Sequence, residues 1–119
     1  PPNVTKIGGY AFHNCSFKSI DLSMNTLQTI GEWAFNSCHK LTDMTIGAGV
    51  TSIGDYAFNI GYYTNKATIR FLGTTPPTIQ SSTIGNNVEK IIVPIGCGDV
   101  YKSATNFSAK ADIIEEATE

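Results

Sequence analysis

Residues 27–38 read Leu27-Gln28-Thr29-Ile30-Gly31-Glu32-Trp33-Ala34-Phe35-Asn36-Ser37-Cys38. The same pattern stands 23 residues earlier and 23 residues later. Val4, Leu27 and Val50 coincide, as do Ile7, Ile30 and Ile53, and then Gly8, Gly31 and Gly54. Tyr10, Trp33 and Tyr56 form an aromatic column beside the pairs Ala11-Phe12, Ala34-Phe35 and Ala57-Phe58. Cys15 matches Cys38, and Gly61 takes that place in the third copy. Three copies at one spacing are the mark of a repeat architecture.

A second apolar cluster follows each copy. Phe17-x-x-Ile20-x-Leu22 follows the first, and Leu41-x-x-Met44-x-Ile46 the second, one residue later relative to its cysteine. In the third, residues 61–65 form a loop insertion before Ile69-x-Phe71. Ile79 and Ile91-x-Val93 mark a fourth, degenerate copy. Alternation of apolar and polar residues over three to five positions predicts short strands with one buried face.

A unit of about 23 residues cannot bury its own apolar side, so units must stack and share a core. The Ile, Phe and Leu columns point inward in this arrangement. The glycine after each Ile is expected in a tight turn at positive φ. The Ala-Phe pair fits a short helical or 3₁₀ turn opposite the strand. Phe35 in the middle rung should be fully buried. The predicted fold is an α/β repeat solenoid. It is a short right-handed superhelix with a narrow parallel sheet and a C-terminal cap, the hand following parallel crossovers. Residues 1–75 hold three repeats, and residues 76–119 a degenerate repeat plus the cap.

Composition removes several functions. The chain has 119 residues, with eight Lys/Arg against ten Asp/Glu. Without a basic patch it does not read as a nucleic-acid binder. No apolar run approaches the roughly 20 residues of a membrane helix. Three cysteines cannot all pair within one chain, and no zinc spacing occurs. No GxSxG elbow is present, and Gly96-Cys97-Gly98 lacks a nucleotide loop's third glycine. No cofactor, metal site or catalytic residue is expected.

The unit resembles the BspA-like leucine-rich repeat family, on residues 4–22, 27–46 and 50–71. The tail resembles that family's C-terminal ending more loosely, through Gly73-Thr74-Thr75-Pro76-Pro77, Val93-Pro94, Tyr101-Lys102 and Ile113-Ile114-Glu115. In physical terms Pro76-Pro77 sets an extended turn, and Pro94 ends the last strand. Asp99 is expected to cap a helix over residues 100–105, with Val100, Tyr101 and Ala104 on its apolar face. The resemblance implies a surface or secreted protein of host-associated bacteria that adheres to host or neighbouring-cell proteins or glycans. A structural spacer in a longer surface protein is the alternative. No polar cap precedes the first repeat, so an uncovered edge is expected to be met by further chain carrying the export signal, or by Pro1-Pro2 and dimer contacts.

Two surfaces are candidates for ligand binding. Tyr10, Trp33 and Tyr56 could stack on sugar rings or anchor a protein; packing of each ring on its own turn is the simpler reading. The outward strand positions, with Asp21, Thr45 and Arg70 among them, form a ladder of mixed charge. A solvated polar face is the simpler reading. Cys15 and Cys38 fit a column of small buried side chains better than a disulfide or metal pair. Cys97, between two glycines of the cap, could be exposed, but nothing near it in sequence would make it reactive. His13 and His39 share no repeat position and read as loop histidines.

Overall fold

The computed structural model describes residues 3–60 and 66–118. Pro1-Pro2 and the insertion at 61–65, with Gly61 in its cysteine position, lie outside the described residues. Each repeat supplies two strands. The first set is β1 (Lys6–Ile7), β3 (Thr29–Ile30) and β5 (Ser52–Ile53). The second is β2 (Ser19–Leu22), β4 (Asp43–Ile46), β6 (Ala67–Phe71) and β7 (Val88–Val93). Helix α1 (Gly98–Ser103), a 3₁₀ segment (Ser108–Ile113) and β8 (Ile114–Glu116) follow.

The strands form two parallel sheets rather than one: β1-β3-β5 and β2-β4-β6-β7-β8. Identical residues face each other, so Ile7 pairs with Ile30 and Ile30 with Ile53. Ile20, Met44, Ile69, Ile91 and Ile114 stand in one register across the larger sheet. The fourth rung falls where Ile79 and Ile91-x-Val93 place it. Ser52 bridges Thr78, and Phe58 bridges Ile84. The tail does more than close the coil. β8 extends the five-stranded sheet, a strand that sequence reading missed because its Ile113-Ile114-Glu115 lacks a repeat motif upstream.

A third ladder runs through the turns that hold the aromatic column. The N–H groups of Tyr10, Phe12 and Asn14 donate to the carbonyls of Glu32, Ala34 and Asn36 at 3.1, 2.9 and 3.0 Å. Those of Trp33, Phe35 and Ser37 donate to Asp55, Ala57 and Asn59 at 2.9, 2.9 and 3.1 Å. These segments are linked turns with no assigned helix, unlike the short helical piece expected. Tyr10, Trp33 and Tyr56 sit at φ 62, 60 and 58°, and Asn14 and Ser37 at 62 and 61°. A left-handed conformation costs an L-residue about 1–2 kcal/mol. The strain recurs at the same repeat position, so it belongs to the design of the rung.

The glycines expected at positive φ are not there; among the described glycines only Gly96 is, at 86°. Their role is close approach. A Cβ on Gly31 would lie 2.6 Å from the Gly9 nitrogen, and one on Gly54 2.6 Å from the Glu32 nitrogen. Turn backbones of successive rungs touch at this point, and no side chain fits between them.

The core is one column of rungs. Leu27, Ala34, Phe35, Cys38, Leu41 and Ile46 are wholly buried. Phe12 stacks on Phe35 at 5.2 Å, and Phe35 meets Phe58 at 6.1 Å. Phe71 of β6 meets Tyr101 and Phe107 of the tail in an edge-and-tilt cluster with centroids 5.3–5.7 Å apart. The Tyr101 hydroxyl donates to the Gly73 carbonyl at 2.7 Å, so its burial leaves no polar group unmet. That burial pushes its phenol well above the usual range, with Cys97 adding to the effect.

Helix α1 starts earlier than expected, and Asp99 lies in its first turn rather than at its cap. The Glu116 carboxylate accepts from the Gly98 N–H at 2.9 Å instead. The N–H groups of Gly96 and Gly98 hold that carboxyl below its usual value. Of the expected apolar face, Tyr101 is buried and Ala104 half-buried, but Val100 is 46% exposed. A six-residue helix has room to point only one large side chain at the core.

Two substitutions test this packing. Phe35→Ala should cost about 3–5 kcal/mol in chemical denaturation, as a buried aromatic truncation. A cost under ~1 kcal/mol would overturn the assigned register. Gly31→Ala should destabilise by about 1–3 kcal/mol through overpacking, whereas Gly8→Ala, with no atom near its added methyl, should stay within about 0.5 kcal/mol. Equal losses at the two positions would contradict the close-approach role.

Candidate functional site

The left-handed turn residues project their rings outward from the third ladder, one per rung. Tyr10 and Trp33 stack at 6.1 Å with planes 4° apart, and Trp33 and Tyr56 at 4.3 Å with planes 16° apart. Tyr10 is 55% and Tyr56 42% exposed, and Trp33 is half-buried between them. The three residues named from sequence are therefore together, and they pack on one another while standing in solvent. Their faces are turned toward each other, so the column presents ring edges and two phenol groups. The His13 ring closes on Tyr10 edge-on at 5.8 Å.

A polar ladder runs beside the column, and sequence reading missed it. Asn59 Nδ2 donates to Asn36 Oδ1 at 2.9 Å, and Asn36 Nδ2 lies 3.2 Å from His13 Nδ1. Asn36 is 5% exposed and needs these partners. The signal was available: His13, Asn36 and Asn59 each follow a core Phe at the 23-residue spacing. Comparing histidines only with each other hid it. Glu32 and Asp55, each just before its aromatic residue, were passed over in the same way.

Asp21, Thr45 and Arg70 also come together, as one row across β2, β4 and β6. The row continues to Ile92 and Glu115. It lies on the five-stranded sheet, away from the aromatic ladder. Ser23, through its hydroxyl and its N–H, holds the Asp21 carboxyl below its usual value. The adjacent row carries Lys90, which pairs with Glu115 at 3.7 Å. Both partners are about half exposed, so this pair contributes little stability.

The cysteines carry free thiols. Cys38 Sγ donates to the Phe12 carbonyl at 3.1 Å, tying two rungs together. Cys97, which the flanking glycines could have left exposed, is 9% exposed, tucked against Tyr101 by the turn at Gly96. A cleft of about 570 Å³ lies between Pro76–Gln80 and residues 100–106. Its lining holds Thr78, Gln80, Ser103 and Asn106 and no acid, base or thiol. Its hydroxyls thus have no acidic or basic side chain among the lining residues to activate them. Among the described residues, no group of three His, Cys, Asp or Glu side chains is placed to hold a metal ion. None of the described helices is long and apolar enough to cross a membrane.

Parallel rungs of 21 to 26 residues around a single apolar column define a leucine-rich-repeat solenoid. The chain belongs to the BspA type leucine-rich repeat family, whose model matches six copies over residues 1–110. No curated protein sequence matches the chain. Modules of this kind present an extended surface suited to binding.

Burial orders the thiols in reactivity. It pushes the Cys38 thiol up to about 11, and leaves Cys15 half-buried at the first rung. A thiol reagent at neutral pH should label Cys15 first, and Cys38 and Cys97 only on unfolding. Equal labelling rates in the folded chain would contradict the assigned burial.

Proposed function

We propose that the chain is a non-catalytic binding module of a cell-surface or secreted protein, adhering to proteins or glycans of a host or neighbouring cell. The observation that carries this reading is the exposed stack of Tyr10, Trp33 and Tyr56. Large aromatics left in water on a rigid frame are the residues that dominate binding interfaces. Family membership supports the same reading. Sugar rings pack on aromatic faces, and between neighbours in the column those faces are taken. Ring edges and phenol hydroxyls suit the carbonyls and carboxylates of a protein, so a protein ligand is favoured over a glycan there.

Residues 1–75 are the binding repeats in this reading, wound with a right hand as parallel crossovers prefer. Residues 76–119 are the degenerate repeat and C-terminal cap, supported by the Phe71–Tyr101–Phe107 cluster. The row of Asp21, Thr45 and Arg70 is a secondary contact surface. Its mixed charges suit a solvated face as well; the alternative for the whole stretch is a structural spacer.

The test is binding to immobilised host matrix proteins and glycans by the chain and by a Tyr10→Ala, Trp33→Ala, Tyr56→Ala variant checked for folding. Saturable binding that falls at least about tenfold in the variant is expected, since hot-spot truncations cost 2 kcal/mol or more. Binding retained in the variant would move the site to the strand row. No binding to any surface would leave the spacer.

A further inference from the structure

We propose that the end of the aromatic stack, at Tyr56 with Asp55, is a docking point for an arginine side chain of a protein partner. This rests on the reading of the column as a protein-binding surface and names the chemistry of one contact. In the stack, one face of Tyr56 is covered by Trp33 at 4.3 Å. The other face looks toward the fourth rung. Phe58 bridges Ile84 there, which sets Ser82 opposite Tyr56. A serine continues no stack, and Tyr56 stays 42% exposed. Among the described residues no ring covers that face, so the column of described rings ends there.

A carboxylate is drawn to the same side. The Ser82 hydroxyl donates to Asp55 Oδ1 at 2.8 Å, so the Asp55 side chain reaches across to the fourth rung. Its backbone carbonyl, meanwhile, accepts from Trp33 in the second rung at 2.9 Å. Ring face and carboxylate thus converge on the space above Ser82. The surrounding charge has one sign. Residues 8–14, 31–37 and 54–60 contain Glu32 and Asp55 and no lysine or arginine. Among the described residues the ion pair is Lys90–Glu115 on the other sheet, and neither Glu32 nor Asp55 takes part in one.

A guanidinium satisfies both groups at once. It lies flat on an aromatic face, is weakly hydrated, and pairs with a carboxylate through parallel N–H donors. An ammonium group offers the charge without the planar fit. A pyranose would also lie on the ring, but it needs several convergent polar partners, and one carboxylate with small hydroxyls supplies few.

The experiment titrates a blocked Gly-Arg-Gly peptide into the isotope-labelled chain and follows amide shifts. The citrulline peptide, with a neutral urea in place of the guanidinium, runs beside it, as do methyl glucoside, galactoside and mannoside. The arginine peptide should shift Asp55, Tyr56 and Ser82, bind at least about fivefold more tightly than citrulline, and weaken as salt rises. Asp55→Asn should lower its affinity by about fivefold, and Tyr56→Leu should abolish the local shifts. If Tyr56→Leu does not fold, the exposed Asp55→Asn variant and the citrulline comparison still decide. Equal affinity for citrulline, an unchanged Asp55→Asn variant, shifts elsewhere, or salt-insensitive binding of a sugar at the same amides would each overturn the proposal. Column-dependent binding to matrix proteins without an arginine preference would overturn this contact and leave the binding-module reading standing.

Discussion

Backbone hydrogen bonds from each rung to the next set the geometry on which everything else depends. Two parallel sheets and a turn ladder hold adjacent rungs together, and sheet pairing fixes strands roughly 4.7–4.9 Å apart. That spacing is also close to the contact distance of stacked side chains. Any residue type repeated at the rung period therefore meets its own kind above and below. Inside, this makes the Ile and Phe columns; outside, it makes the Tyr10–Trp33–Tyr56 stack.

The constraint also explains the two unusual demands on the backbone. Turns this close to one another leave no room for a Cβ at Gly31 and Gly54. Two residues later, a left-handed turn residue lets an N–H reach the next rung and sends its side chain outward. An aromatic ring at positive φ is strained. Its hydrogen bond and its neighbours in the stack offset that strain. The proposed binding surface and the folding constraint are thus one feature of the rung, which is why the column can be exposed without being loose.

Where the period breaks, new chemistry becomes possible. Ser82 in the aromatic column ends the stack and turns Asp55 toward the gap. Lys90 and Glu115 add an exposed ion pair to strand rows of mixed charge. The tail abandons the motif altogether, yet keeps the register: Ile114 still pairs with Ile91. Hydrogen bonding outlasts sequence similarity here because any residue with a free N–H and carbonyl can extend a sheet.

Much of the fold was legible from residue identities. The 23-residue period, the inward Ile and Phe columns, the fourth rung at Ile79 and Ile91, and the end of the β7 strand before Pro94 all follow from spacing and side-chain chemistry, because stacking rewards repetition. The membership of Tyr10, Trp33 and Tyr56 in one column was equally plain. Three things were decided only by the tertiary structure. Which residue carries the positive φ depends on how closely rungs approach, and that assigned it to the aromatics and not to the glycines. Whether the rings bury or stack in water depends on the direction of the turn's Cα–Cβ bonds. The join of Asp55 to Ser82, and of Glu116 to the start of α1, links residues 27 and 18 positions apart. No local pattern records those contacts, since an exposed side chain finds its partner only after the rungs are in place.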